Sequence, residues 1–213
     1  MDGTLIDTID DLATACETVL TEFGFGNSDG SPVHTRDEYH RFVGNGIKKL
    51  VERALGAQAT PTVLEKAYQR FLVVYNDGCK IKTAPYDGIY NLLDALKEKG
   101  IKMGVVTNKA EQQARFLADA FFKDYDFCCV YGSVDSRPNK PHPASIELAL
   151  ADCGAEKNTT IFVGDSDVDV ETAHNGGLIC AGAAWGFRGE EELRRAGAEI
   201  ILQQPLDLLQ CFS

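Results

Sequence analysis

The chain has 213 residues, of which 44% are apolar and 25% charged, and its formal net charge is -11. That size suits one domain, or one domain with an inserted module, and no apolar run approaches the ~18 residues that span a membrane. The acidic balance argues against non-specific binding to nucleic acid or anionic membranes, and it admits a phosphate ligand only where a few cations are concentrated. The N-terminus is acidic and lacks a basic stretch before an apolar core, so no secretory leader is expected. Seven cysteines without a Cys-x-x-Cys pair read as small buried hydrophobes in a reducing, cytoplasmic setting.

From Ile6 to about Cys79 every pattern is helical. Ile6, Ile9, Ala13, Cys16, Leu20 and Phe23 recur at helical spacing, as do Ile47, Leu50, Val51, Ala54 and Leu55, and then Leu64, Tyr68, Phe71, Leu72 and Tyr75. Thr60-Pro61 reads as an N-cap followed by a first-turn proline. Gly24, Gly26, Asn27, Asp29, Gly30 and Pro32 mark the loop after the first helix.

After about Thr83 the texture alternates. A helix carrying Ile89, Leu92, Leu93 and Leu96 ends at Gly100. A strand follows over Ile101 to Val106, then a helix with Ala110, Ala114, Leu117 and Phe121, and a strand over Phe127 to Tyr131. Next come a helix from Pro143 to Cys153, a strand from Thr160 to Val163, a helix from Val168 to Asn175, a strand from Leu178 to Ala184 and a short strand from Glu199 to Leu202. Apolar strands separated by helices predict an α/β fold with a parallel sheet covered on both faces. The expected organisation is a discontinuous core, residues 1–10 and 80–213, interrupted by a helical cap, residues 11–79. In such sheets ligands sit beyond the carboxyl ends of the strands.

The polar clusters fall at those ends. Thr107-Asn108-Lys109 closes one strand and can present a hydroxyl and backbone N–H groups to a phosphate. A bland alternative makes Thr107 a helix cap. Lys140 stands in the proline-rich loop Arg137-Pro138-Asn139-Lys140-Pro141-His142-Pro143, which can aim a point charge at a phosphoryl oxygen. Gly164-Asp165-Ser166-Asp167-Val168-Asp169 ends another strand. Asp165 and Asp169, four apart, are expected on one face of the helix start, where clustered carboxylates favour a hard cation such as Mg²⁺. Acidic capping is the competing explanation, more natural for Asp167 than for the other two. Asp2 is either an N-cap, with Thr4 and Asp7 as competitors, or part of the same constellation.

Taken in order, Asp2-Gly3-Thr4-Leu5, Thr107, Lys140 and Gly164-Asp165-x-x-x-Asp169 resemble the motifs of the haloacid dehalogenase superfamily, and the likeness runs over essentially the whole chain. Within it, Thr107-Asn108-Lys109, Val43-Gly44-Asn45-Gly46, Pro85-Tyr86-Asp87-Gly88 and Trp185-Gly186 are similar to phosphoglycolate phosphatases. The resemblance implies a Rossmann-like core with a parallel sheet and an inserted helical cap. It implies Mg²⁺-dependent hydrolysis of small phosphate monoesters, 2-phosphoglycolate among them, through an aspartyl-phosphate. Asp2 then serves as general acid/base, with Thr107 and Lys140 stabilising the phosphoryl group. Asp2, Asp165 and Asp169 hold the metal, and Gly3, Asn108, Lys109, Gly44, Asn45 and Gly46 contact the substrate. The family nucleophile is the first Asp of Asp-x-Asp-Gly-Thr-Leu. With Met1 at x, that position and its apolar strand fall ahead of residue 1, and a sheet without a central strand is expected to carry two unpaired edges. A pyrophosphatase, a sugar phosphatase, a phosphomutase and an inactive phosphate-binding relic are the alternatives. The expected partner is a small phosphorylated metabolite, with no nucleic acid and no membrane, and the protein is a monomer or homodimer. Other motifs fail: Gly44-Asn45-Gly46-Ile47-Lys48-Lys49 lacks P-loop spacing, Gly24-x-Gly26 follows a helix, and the four histidines lack zinc spacing.

Overall fold

The computed structural model describes residues 1–212. It divides into two compact units, Met1–Asp7 with Pro85–Ser213, and Thr8–Ala84.

The first unit opens with a tight turn in which the N–H groups of Thr4, Leu5 and Ile6 all reach the Met1 carbonyl. The turn leads into β1 (Ile6–Asp7). The helical spacing that includes Ile6 is therefore corrected: the helix begins only at Ile9, and fully buried Ile6 belongs to a strand.

The second unit is helical: α1 (Ile9–Glu22), α2 (Arg36–Phe42), α3 (Ile47–Leu55) and α4 (Pro61–Gly78). α1 packs on each of the others, and Leu12, Leu50, Phe71 and Tyr75 fill the space between them. Pro61 is the first residue of α4, and the Thr60 hydroxyl caps it by accepting the Val63 N–H. Buried Asp11 accepts the backbone N–H groups of Lys82 and Thr83 and the Thr83 hydroxyl, which ties the end of this unit to α1. β2 (Ala84–Pro85) falls at the boundary.

The first unit resumes as an alternating chain: α5 (Ile89–Glu98), β3 (Met103–Ala110), α6 (Glu111–Phe122), β4 (Phe127–Ser133), α7 (Ala144–Cys153), β5 (Ile161–Gly164), α8 (Asp167–Gly176), β6 (Ile179–Ala183), α9 (Gly189–Ala196) and β7 (Ile200–Leu202), closed by a 3₁₀ segment, Pro205–Phe212. All pairings between β3 and β7 are parallel, in two groups: β3 with β4, and β5–β6–β7. Successive residues of β6 serve opposite faces, as strand geometry requires. Cys180 packs with Ile146, Val170, Ala173 and Leu193 on one side. Ala181 packs with Leu92, Leu96, Leu202 and Leu208 on the other. An apolar cavity of about 550 Å³ is lined by Met103–Val106 of β3, Ile161–Val163 of β5, and side chains of α5 and α7.

Two boundaries depart from expectation with consequences for function. β3 does not stop at Val106 but continues through Thr107-Asn108-Lys109 to Ala110, with a register shift after Val106. Thr107-Asn108-Lys109 thus lies on the strand rather than at the head of α6. Three polar residues remain buried there because each finds a partner in the site described next. Likewise α8 begins at Asp167 with Ser166 as its cap, so Asp165 precedes the helix and does not share its first face with Asp169.

Candidate active site

The groups come from the opening turn, from β3, from the loop after β4 and from the junction of β5 with α8. The opening turn supplies Asp2, Gly3 and Thr4. β3 supplies Thr107, Asn108 and Lys109, the loop after β4 supplies Lys140, and the β5–α8 junction supplies Asp165, Ser166 and Asp169.

These groups form a closed ring of contacts. The Lys109 ammonium, its side chain only 1% exposed, pairs with Asp2 at 3.2 Å. The neighbouring Asn108 bonds both backbone groups of Lys140. The Lys140 ammonium donates to Asp169 Oδ1 at 2.6 Å. Asp169 Oδ2 accepts the backbone N–H groups of Asp165 and Ser166 at 3.2 Å and the Ser166 hydroxyl at 2.7 Å. Asp165 Oδ1 accepts the Thr4 hydroxyl at 3.0 Å, and Oδ2 accepts the Phe187 N–H at 3.0 Å. Thr4 and Gly3 return the ring to Asp2. The Thr107 hydroxyl oxygen accepts the Lys109 N–H at 3.2 Å, which leaves its own proton to donate elsewhere.

Two glycines permit this density. A methyl on Gly3, whose φ is +76°, meets the Asp165 carboxylate at 2.1 Å. One on Gly186 meets Asp165 Cβ at 2.2 Å and the Gly3 carbonyl at 2.3 Å. Side chains at either position would displace the carboxylate.

The electrostatics separate the two buried aspartates. Burial, and then the neighbouring Asp169, push Asp165 up to about 7, against smaller opposing effects of the Met1 ammonium, the Phe187 N–H and Thr4. Burial is the largest influence on Asp169 and opposes its ionisation, but the Lys140 ammonium, the Met1 ammonium and the Ser166 hydroxyl together more than offset it and hold that carboxyl below the usual carboxylate range. Asp169 is thus an ionised partner for a lysine. Asp165 is a carboxylate whose charge is costly where it stands.

That cost bears on metal binding. Among the described residues no group of three or more His, Cys, Asp and Glu side chains is arranged to hold a metal ion. A Mg²⁺ ion needs fewer, since it takes one or two carboxylates and completes its shell with other oxygens. Asp165, 4% exposed and raised by burial and by a like charge, fits such a ligand, because a bound cation relieves both causes.

The sequence-derived residues fare differently from one another. Asp2, Gly3, Thr107, Asn108, Lys109, Lys140, Asp165 and Asp169 all join the one ring or border it. Lys109 is buried and pairs with Asp2. Acidic capping of α8 falls to Asp169 through a reciprocal bond with Ser166, not chiefly to Asp167, whose carboxylate accepts only the adjacent Val168 N–H. Gly44, Asn45 and Gly46 belong to the helical unit, where Asn45 Oδ1 accepts Arg53 Nη2 at 2.8 Å and Gly46 precedes α3. Sequence reasoning missed Ser166 and Phe187. It read Thr4 only as a cap, although Thr4 stands inside the opening motif and its hydroxyl fixes Asp165. No helix among the described residues is long and apolar enough to cross a membrane.

The haloacid dehalogenase-like hydrolase family model matches residues 1–183. Phosphoglycolate phosphatase of Aquifex aeolicus is 30% identical, the match covering 99% of this chain and 92% of the relative. Phosphoglycolate phosphatase 1 of Pseudomonas aeruginosa is 29% identical over 99% of this chain and 77% of the relative. A crystal structure from Lactobacillus delbrueckii subsp. bulgaricus superposes with a TM-score of 0.91 at 28% identity, covering 99% of this chain and 95% of that one.

Proposed function

The chain belongs to the haloacid dehalogenase-like hydrolases, as a phosphatase of that family, and on that premise we propose that it hydrolyses small phosphate monoesters of the 2-phosphoglycolate type through an aspartyl-phosphate. The observation that carries the reading is the closed ring of contacts. Groups scattered along the chain from Asp2 to Asp169 are linked to one another by side-chain contacts there.

In this reading Asp2 is the acid/base, held by the Lys109 ammonium. It protonates the leaving alcohol and then takes a proton from the attacking water. The Thr107 hydroxyl proton, the Asn108 N–H and the Lys140 ammonium stabilise the equatorial phosphoryl oxygens. The two lysines offset the charges of Asp2 and Asp169, and the positive charge an anionic substrate needs beyond that would come from a bound cation. Asp165, the Asp2 carbonyl and Asp169, the last as a ligand or one step removed, would hold Mg²⁺, which would supply compensating charge for the carboxylates and the phosphoryl group. To the helical unit, residues 11–79 on the sequence reading, we assign the choice of substrate, with Gly44, Asn45 and Gly46 as its candidate residues. The family motif implies an aspartate nucleophile two residues ahead of Asp2. Seven cysteines without a disulfide suit a reducing cytoplasm.

The test compares the 213-residue chain with the same residues preceded by an apolar strand ending in aspartate just before Met1. Phosphate release is measured over a panel of monoesters with Mg²⁺. The extended chain should turn over 2-phosphoglycolate and similar small monoesters, and the 213-residue chain none. Turnover by the 213 residues alone would contradict the nucleophile assignment, and inactivity of both would contradict the phosphatase reading.

A further inference from the structure

The Asn108 side chain reaches across from β3 to the loop that carries Lys140. Its Oδ1 accepts the Lys140 backbone N–H at 2.8 Å, and its Nδ2 donates to the Lys140 carbonyl at 3.1 Å. One carboxamide thus holds both backbone groups of one residue. Further along the loop the guanidinium of Arg137 reaches the Gly132 carbonyl at 2.6 Å and Glu111 at 2.7 Å. Asn175 Nδ2 donates to the Pro141 carbonyl at 3.0 Å. The Asn108 bonds act on the backbone of Lys140 itself. A lysine head is a point charge on a four-carbon stem with many rotamers, so its placement is no better than that of its root. The root is clamped by Asn108, and the head is held 2.6 Å from Asp169.

We propose that Asn108 is a positioning residue for Lys140: its carboxamide registers the lysine loop against β3, so that the Thr107 hydroxyl and the Lys140 ammonium address the same phosphoryl group. The inference rests on the phosphatase reading above. It adds to that reading a role for the Asn108 side chain distinct from any contact of its backbone N–H, which every substitution except proline retains.

A double-mutant cycle in the extended chain tests it. Lys140→Ala should lower kcat by at least ~10². Asn108→Ala should lower kcat at least ~10-fold, since a displacement of about 1 Å can cost ~10², and should leave KM within about threefold because the backbone donor survives. In the Lys140→Ala background Asn108→Ala should cost nothing further. Hydrogen exchange on the 213-residue chain gives a readout independent of turnover: Asn108→Ala should speed exchange of the Lys140 amide while the β5 and β6 amides keep their protection. Full additivity of the two substitutions, a neutral Asn108→Ala or an unchanged Lys140 amide overturns the inference and leaves the phosphatase reading standing. A neutral Lys140→Ala overturns both.

Discussion

Replacing Gly186 by alanine places a methyl carbon 2.2 Å from Asp165 Cβ and 2.3 Å from the Gly3 carbonyl oxygen. Gly186 has no positive φ, so the substitution carries no conformational penalty of its own, and the close approach is isolated. Carbon neighbours settle at about 3.5 Å or more, so the two strand ends must part by about 1 Å. One of the clashing atoms belongs to the backbone and cannot swing aside. Overpacking of this kind costs ~1–3 kcal/mol, and a site opened by about 1 Å loses ~10² in rate. Gly186→Ala should therefore weaken Mg²⁺ binding to the 213-residue chain at least ~10-fold by calorimetry, and cut kcat of the extended chain by about 10². Gly78→Ala is the control, because its methyl would meet only Ile81 Cδ1, at 3.6 Å. It should be neutral or slightly stabilising, as alanine is favoured over glycine in a helix. Wild-type metal affinity and rate in Gly186→Ala would refute the argument that Asp165 is held against the opening turn.

Three other outcomes are expected. Asp165→Asn should abolish Mg²⁺ binding measured by calorimetry, whereas Asp2→Asn should keep it, because the Asp2 backbone carbonyl remains; equal loss in both would contradict the division of roles. In metal-free protein, Asp165, raised to about 7 by burial and by Asp169, makes folding less favourable as pH rises from about 4 towards 7, since the unfolded carboxyl ionises first. Asp165→Asn should flatten that part of the pH–stability curve, and a wild-type slope in the variant would exclude Asp165 as its source. Asp11→Ala leaves the Lys82 and Thr83 N–H groups and the Thr83 hydroxyl without their acceptor. At ~1–3 kcal/mol for a buried unpaired group, urea unfolding should show a loss of about 3 kcal/mol, and a loss under ~0.5 kcal/mol would show that these groups find other partners.

Much of the α/β half was legible because its strands are short apolar runs and its helices end at glycines such as Gly100. The elements that escaped have almost no apolar stripe. α2 buries only Tyr39, and its one signal is the capping box of Thr35 and Glu38. α9 buries only Leu193. The continuation of β3 escaped because Thr107, Asn108 and Lys109 look like the polar end of a strand. Inside the protein they find Asp2, Lys140 and one another, partners a local pattern does not contain. The site residues were legible as a set, from their order and spacing, but their pairings were not. Asp169 was hidden as a cap because the usual box carries Glu or Gln at its third position, where this chain has the shorter aspartate. Thr4 and Phe187 were hidden because their partner, Asp165, is distant in sequence.

The most direct measurement is rapid-quench labelling of the extended chain with a ³²P-labelled monoester in the presence of Mg²⁺. The account predicts a covalent, hydroxylamine-labile label on the protein that requires the metal, disappears in Asp165→Asn, and persists longer in Asp2→Asn because water activation is lost. Phosphate release at full rate with no protein-bound label at any quench time would contradict it.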